Sequence, residues 1–226
     1  MTLKPATQTG MSYGRVVRHV CLAALGSAIL FAFCLGFDDR TVEFQLSIGS
    51  AYAACIFLAT TLLLGPVYAI WRRRRPVSTY LRRDLAIWAG VFALLHTGAG
   101  LLVHFGGRIW PYFFDPAAGS LTPRFDLFGL TNYAGLVSTL AIAGLLLISS
   151  DAAMRRLGVG SWKKLQQLAP WAGLVALAHA AAYQLLEDRS LPFIVFLAAA
   201  AALVVALRLS RQIFGARVSG CRGDPV

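Results

Sequence analysis

The stretch LLHTGAGLLVHF, residues 94–105, places two imidazoles, His96 and His104, in a run with no other ionisable group. A third, His179, stands in the equally apolar LVALAHAAAY, and a fourth, His19, follows Arg15 and Arg18. An ionisable side chain in hydrocarbon is costly and normally faces the interior of a bundle, so each intramembrane histidine is a candidate site. Three kinds of chemistry are open to such a pair: axial ligation of a b-type haem, hydrogen bonding that glues helices together, and a proton or substrate pathway.

Depth separates the histidines. A helix entering near Leu85 carries His96 eleven residues on, and one entering near Leu168 carries His179 eleven residues on. At about 1.5 Å per residue both reach about 16 Å, near the middle of a ~30 Å hydrocarbon core. Two imidazoles at one depth on neighbouring helices suit an iron that takes one nitrogen from each face. Small residues accompany both: Ala89, Ala93, Ala99 and Gly100 around His96, and Ala172, Val175, Ala176, Ala182 and Tyr183 around His179. They leave room for a macrocycle, and equally they permit close helix packing. His104 lies about 12 Å further out on the same helix, so it and His96 cannot ligate one iron together. It reads as an interfacial residue, with contact to a haem propionate or a quinone-like ligand as the alternative. His19 reads as interfacial.

The elements that position these residues follow from composition. The chain has 226 residues, 58% hydrophobic and 14% charged, with a mean hydropathy of +0.65. A soluble domain is about 45–50% apolar and about 25% charged, so the expected fold is an all-α, polytopic membrane bundle. Six stretches are long enough to span, near 18–36, 46–70, 85–106, 131–149, 168–186 and 192–208. The expected organisation is an N-terminal arm over 1–17, a bundle over 18–208 and a tail over 209–226, with no separate soluble domain. The first stretch follows a basic arm but has no clear cleavage site, and it reads as a retained helix.

The net charge of +11 is sorted between the connections rather than spread for nucleic acid. The arm with Arg18, the 71–84 and 150–167 connections and the tail with Arg208 hold 17 of the 21 Lys and Arg residues, leaving Arg40, Arg108, Arg124 and Arg189 opposite. Both termini are therefore expected in the cytoplasm, and the chain in a bacterial inner membrane. Cys21, Cys34, Cys55 and Cys221 show no paired spacing, so neither a disulfide nor a zinc site is expected. No glycine fingerprint for a nucleotide is present.

TLLLGPVYAI, LRRDLAIWAGVFALLH and TNYAGLVSTLAIAGLLLISSDAAMRRLGVGSWKKLQQLAPWAGLVALAHAAAY together resemble the ferric reductase-like transmembrane domain family. That family includes the haem-binding membrane subunit of the periplasmic methionine sulfoxide reductase system and, more distantly, eukaryotic ferric reductases and NADPH oxidases. The resemblance covers about residues 46–186. It implies a b-haem electron conduit in which His96 and His179 match haem-ligand positions. Many members carry a second histidine thirteen residues before the last; here that position is Gln166, and its counterpart on helix three falls near Arg82 or Arg83. The expectation is therefore one haem b, with Gln166, Arg82 and Arg83 left to hold propionates or FMN. The donor would be a redox partner protein, a quinone or a bound flavin, and the acceptor would lie at the external face. The rival expectation is a haem-free transporter or assembly subunit whose histidine pair is structural.

Overall fold

The computed structural model describes residues 13–37, 39–72, 79–118, 121–188, 194–195, 197–199, 201–203 and 205–206. Six helices are named within them: α1 Tyr13–Cys34, α2 Val42–Arg72, α3 Thr79–Val103, α4 Leu127–Leu147, α5 Asp151–Gln166 and α6 Ala169–Leu186. The fold is all-α among the described residues, with one isolated bridge between Phe114 and Pro123. Four helical stretches, Tyr13–Phe37, Val42–Leu64, Tyr80–Val103 and Leu127–Leu147, are long and apolar enough to cross a membrane. Their outward faces carry bare aliphatic and aromatic side chains such as Leu25, Phe31, Val137 and Leu140, the surface that hydrocarbon solvates without cost.

The helices pack in two groups. In the first, α2 lies along α3 and α1 lies on α2, around a core of Leu22, Ala53, Phe57, Leu85, Ala89 and Phe92. Gly26 permits that closeness: a Cβ there would stand 2.1 Å from the Phe92 ring and 2.7 Å from that of Phe57. In the second, α4 lies along α6. α3 touches α4, and α2 touches α6 more sparsely.

Two expectations are corrected. The 150–167 stretch, expected as a basic connection between spans, is the helix α5, capped by Ser150, whose side chain accepts from the Ala153 amide at 3.0 Å. Its charge hid it from a reading that looked for apolar spans. Its backbone breaks at Gly158, with φ +74°, where a residue with a side chain would be strained. The second correction is that α3 starts at Thr79 rather than near Leu85, which puts Arg82 and Arg83 on the helix instead of in a turn. The stretch expected to span at 168–186 is the helix α6, which is not one of the four long and apolar enough to cross a membrane; Pro170 lies in its first turn, where the missing amide hydrogen costs nothing. The expected 192–208 span is helical where it is described; its remainder, most of the N-terminal arm, Arg73–Arg75, Cys221 and the tail lie outside the described residues.

The loop after α3 is built on Tyr112, 2% exposed, whose hydroxyl donates to the Gly100 carbonyl at 2.8 Å and accepts from the His104 amide at 3.1 Å. Asp126 then caps α4 by accepting from the Gly129 amide at 2.7 Å, and that bond holds its carboxyl below the usual range.

Candidate functional site

Between the two helix groups lies a cavity of about 930 Å³, lined by α2, α3, α4, α5 and α6. It is at the upper end of the size usual for a cofactor pocket. His96 on α3 and His179 on α6 both line it, with ring centroids 6.1 Å apart and planes inclined at 67°.

Each imidazole is anchored to its own helix group. His96 Nδ1 is 2.9 Å from the Ser47 carbonyl of α2, and His179 Nδ1 is 2.8 Å from the Thr131 carbonyl of α4. A carbonyl oxygen only accepts, so both Nδ1 atoms carry the hydrogen and both Nε2 lone pairs are left free. A histidine whose Nδ1–H is held by a carbonyl is how proteins orient an imidazole for a metal. Gly135 of α4 makes room for this arrangement: a Cβ there would stand 2.6 Å from His179 Cε1. Ala89, Ala93, Gly100, Ala172, Ala176 and Tyr183, picked out in the sequence as space-makers, line the cavity, whereas Ala99, Val175 and Ala182 do not.

One end of the cavity collects Arg82, Arg83 and Gln166. Arg83 Nη1 reaches Asp151 at 2.6 Å, yet its Nε and Nη2, like Gln166 Nε2, are buried without a hydrogen-bond partner. A buried donor left unpaired is costly, and donors are what acceptor oxygens of a bound group would satisfy. All three residues line the same cavity as His96 and His179. At the other end His104, in the turn just past α3, sits 3.3 Å from Glu187 and stacks on Tyr183, with Phe128 and Tyr112 around it. Tyr183 in turn lies against His179, at 5.0 Å between centroids. His104 is thus exposed at the cavity mouth and separated from the central pair by an aromatic ring.

Sequence reasoning missed the carboxylate beneath the site. Asp84 of α3 is wholly buried and is approached by three side chains of α1: Arg18 Nε at 2.6 Å, Arg15 Nη2 at 3.4 Å and His19 Nε2 at 3.4 Å. His19 also accepts from Trp88 Nε1 at 3.2 Å, so it is a buttress between helices rather than a free interfacial group. Asp151 extends the cluster by pairing with Arg15 at 3.0 Å and with Arg83, whose hydrogen bond keeps the Asp151 carboxyl below its ordinary range. The available signal was an aspartate set between an arginine pair and an apolar run, with basic residues at the same end of the first helix. Among the described residues, no three His, Cys, Asp or Glu side chains gather as a metal-binding group. No protein-family model matches the chain, and no curated protein is significantly similar to it.

Proposed function

We propose that the chain is a b-haem-binding integral membrane protein, built like a ferric reductase-like transmembrane domain, that carries electrons to an acceptor on the external side. The observation that carries the reading is the His96–His179 pair, 6.1 Å apart with each Nδ1 committed to a backbone carbonyl and each Nε2 free, facing a cavity large enough for a macrocycle. When bound, haem b would supply reversible one-electron chemistry. The protein's residues bind and orient: His96 and His179 would supply the axial nitrogens, Gly135 gives the second ring its space, and Ser47 and Thr131 fix both tautomers. Arg82, Arg83 and Gln166 would receive the anionic groups of the haem or of an FMN, and His104 would tune the field at the outer mouth. The donor is a redox partner protein or a quinone.

A pyridine haemochrome assay on purified protein is expected to give one haem per chain, because no imidazole stands at Gln166, Arg82 or Arg83 to ligate a second iron. Two haems per chain would overturn that number. Protein without a b-type Soret band would overturn the function itself in favour of a haem-free transporter or assembly subunit.

The topology proposed with this function is six spans with both termini in the cytoplasm of a bacterial inner membrane, resting on the sorting of basic residues between connections. Reporter fusions after Val226 and within 107–130 should report opposite sides; the same side from both would show that the span count is wrong.

A further inference from the structure

α5 offers a surface that the electron-transfer reading leaves unused. Asp151 pairs with Arg15 of α1 and Arg83 of α3, so the first turn of α5 is fixed at the end of the bundle where those helices start. Trp162 Nε1 donates to the Ile148 carbonyl at 2.9 Å, folding the helix back on the end of α4, and only Gln167 and Leu168 separate it from α6. The helix therefore lies across the ends of the spans, at the level of the membrane surface.

Its outward side is double in character. Residues 155–161 are all exposed. Arg155, Arg156, Lys163 and Lys164 are exposed and form none of the ion pairs found among the described residues, Lys163 also standing at the edge of the cavity, while the one carboxylate of α5, Asp151, is already engaged. Interleaved with them are the exposed apolar side chains Leu157, Val159 and Leu165, followed by Leu168 and a 67%-exposed Trp171 at the start of α6. Water gives such apolar residues no partner, and hydrocarbon would not admit four cations. Both are satisfied together only in the headgroup layer, where stems and aliphatic groups sink and charges stay among phosphates.

We propose that α5 is an interfacial helix that binds anionic phospholipid headgroups. The break at Gly158 divides it into two short segments, each bearing one basic pair, so that each segment can seat its pair independently. Four cations without counter-charge select a net-negative headgroup over a zwitterionic one. An acidic soluble protein would match the charge but not the aliphatic residues and tryptophan that lie at the bilayer level.

The test uses the full chain and its Arg155→Gln, Arg156→Gln, Lys163→Gln, Lys164→Gln quadruple variant, in nanodiscs of phosphatidylcholine alone or mixed with phosphatidylglycerol. The readout is the difference in thermal midpoint between the two lipids, which cancels any general loss of stability in the variant. Phosphatidylglycerol should raise the midpoint of the parent chain, and the rise should vanish in the variant and shrink at high salt. Phosphatidylglycerol retained in native mass spectra should fall roughly tenfold in the variant. Equal midpoints of the parent chain in the two lipids, or an undiminished preference in the variant, overturn the proposal. A shift produced by soluble polyglutamate but not by phosphatidylglycerol overturns it in favour of an acidic protein partner.

Discussion

Haem should be lost from both His96→Ala and His179→Ala, with the b-type absorbance of the purified protein reduced at least about tenfold. The scale follows from metal sites in which changes to the outer supporting groups alone cost about 10–100-fold in affinity; under the proposed function each variant removes a ligating nitrogen itself. The neighbouring groups cannot substitute. Ser47 meets His96 at Nδ1 through its carbonyl and, at 3.3 Å, its hydroxyl, Thr131 meets His179 at Nδ1 through its carbonyl, and Tyr183 is tied by its hydroxyl to Asn132 at 2.9 Å. His104→Ala should keep a low-spin b spectrum, because its imidazole is paired with Glu187 and lies beyond Tyr183 from the central pair. Haem retained by His96→Ala and lost by His104→Ala would move the iron to the external mouth of the cavity. If all three variants of a colourless protein kept their fold and differed only in stability, the pair would be hydrogen-bonding glue between helices.

Asp84→Ala is expected to cost about 3–5 kcal/mol of stability, measured as the thermal or denaturant midpoint of the protein in nanodiscs. The variant removes the wholly buried carboxylate that Arg15, Arg18 and His19 share, leaving two guanidinium groups close together and largely out of water. Removing one partner of a buried ion pair is far worse than never having had the pair, since the desolvation of the survivors is no longer offset. Arg18→Ala should cost less, because Arg15 still neutralises Asp84 and His19 Nε2 still lies beside it at 3.4 Å. A loss below about 1 kcal/mol, the range of exposed ion pairs, would show that α1 is held mainly by the Leu22 and Gly26 contacts. The outer member of the cluster carries a pH dependence of known sign. Asp151 is held below its ordinary value of 3.8 chiefly by the Arg83 hydrogen bond, so its contribution is fully present above that pH and is lost as pH falls through its folded-state value.

What the sequence determined by itself was an all-α chain with helices apolar enough for a membrane and two histidines within them. An apolar composition broken into span-length stretches dictates helices, because hydrocarbon offers no partner to an open backbone. Equal spacing of His96 and His179 from the expected membrane entries near Leu85 and Leu168 put both at one depth, and although α3 starts earlier, at Thr79, α3 and α6 bring the two rings together across the cavity. That part was legible because rise per residue is a local constant. The charged helix α5 was not, since an amphipathic helix at a surface carries no apolar run to announce it. Nor was the orientation of the imidazoles legible: it depends on the Ser47 and Thr131 carbonyls, backbone atoms 49 and 48 residues away in the chain, which have no sequence signature. The same holds for Asp84. Whether a carboxylate beside two arginines is a solvated surface charge or a wholly buried hub is decided by what packs over it, and only the docking of α1, with Arg15, Arg18 and His19 turned inward, settles that question.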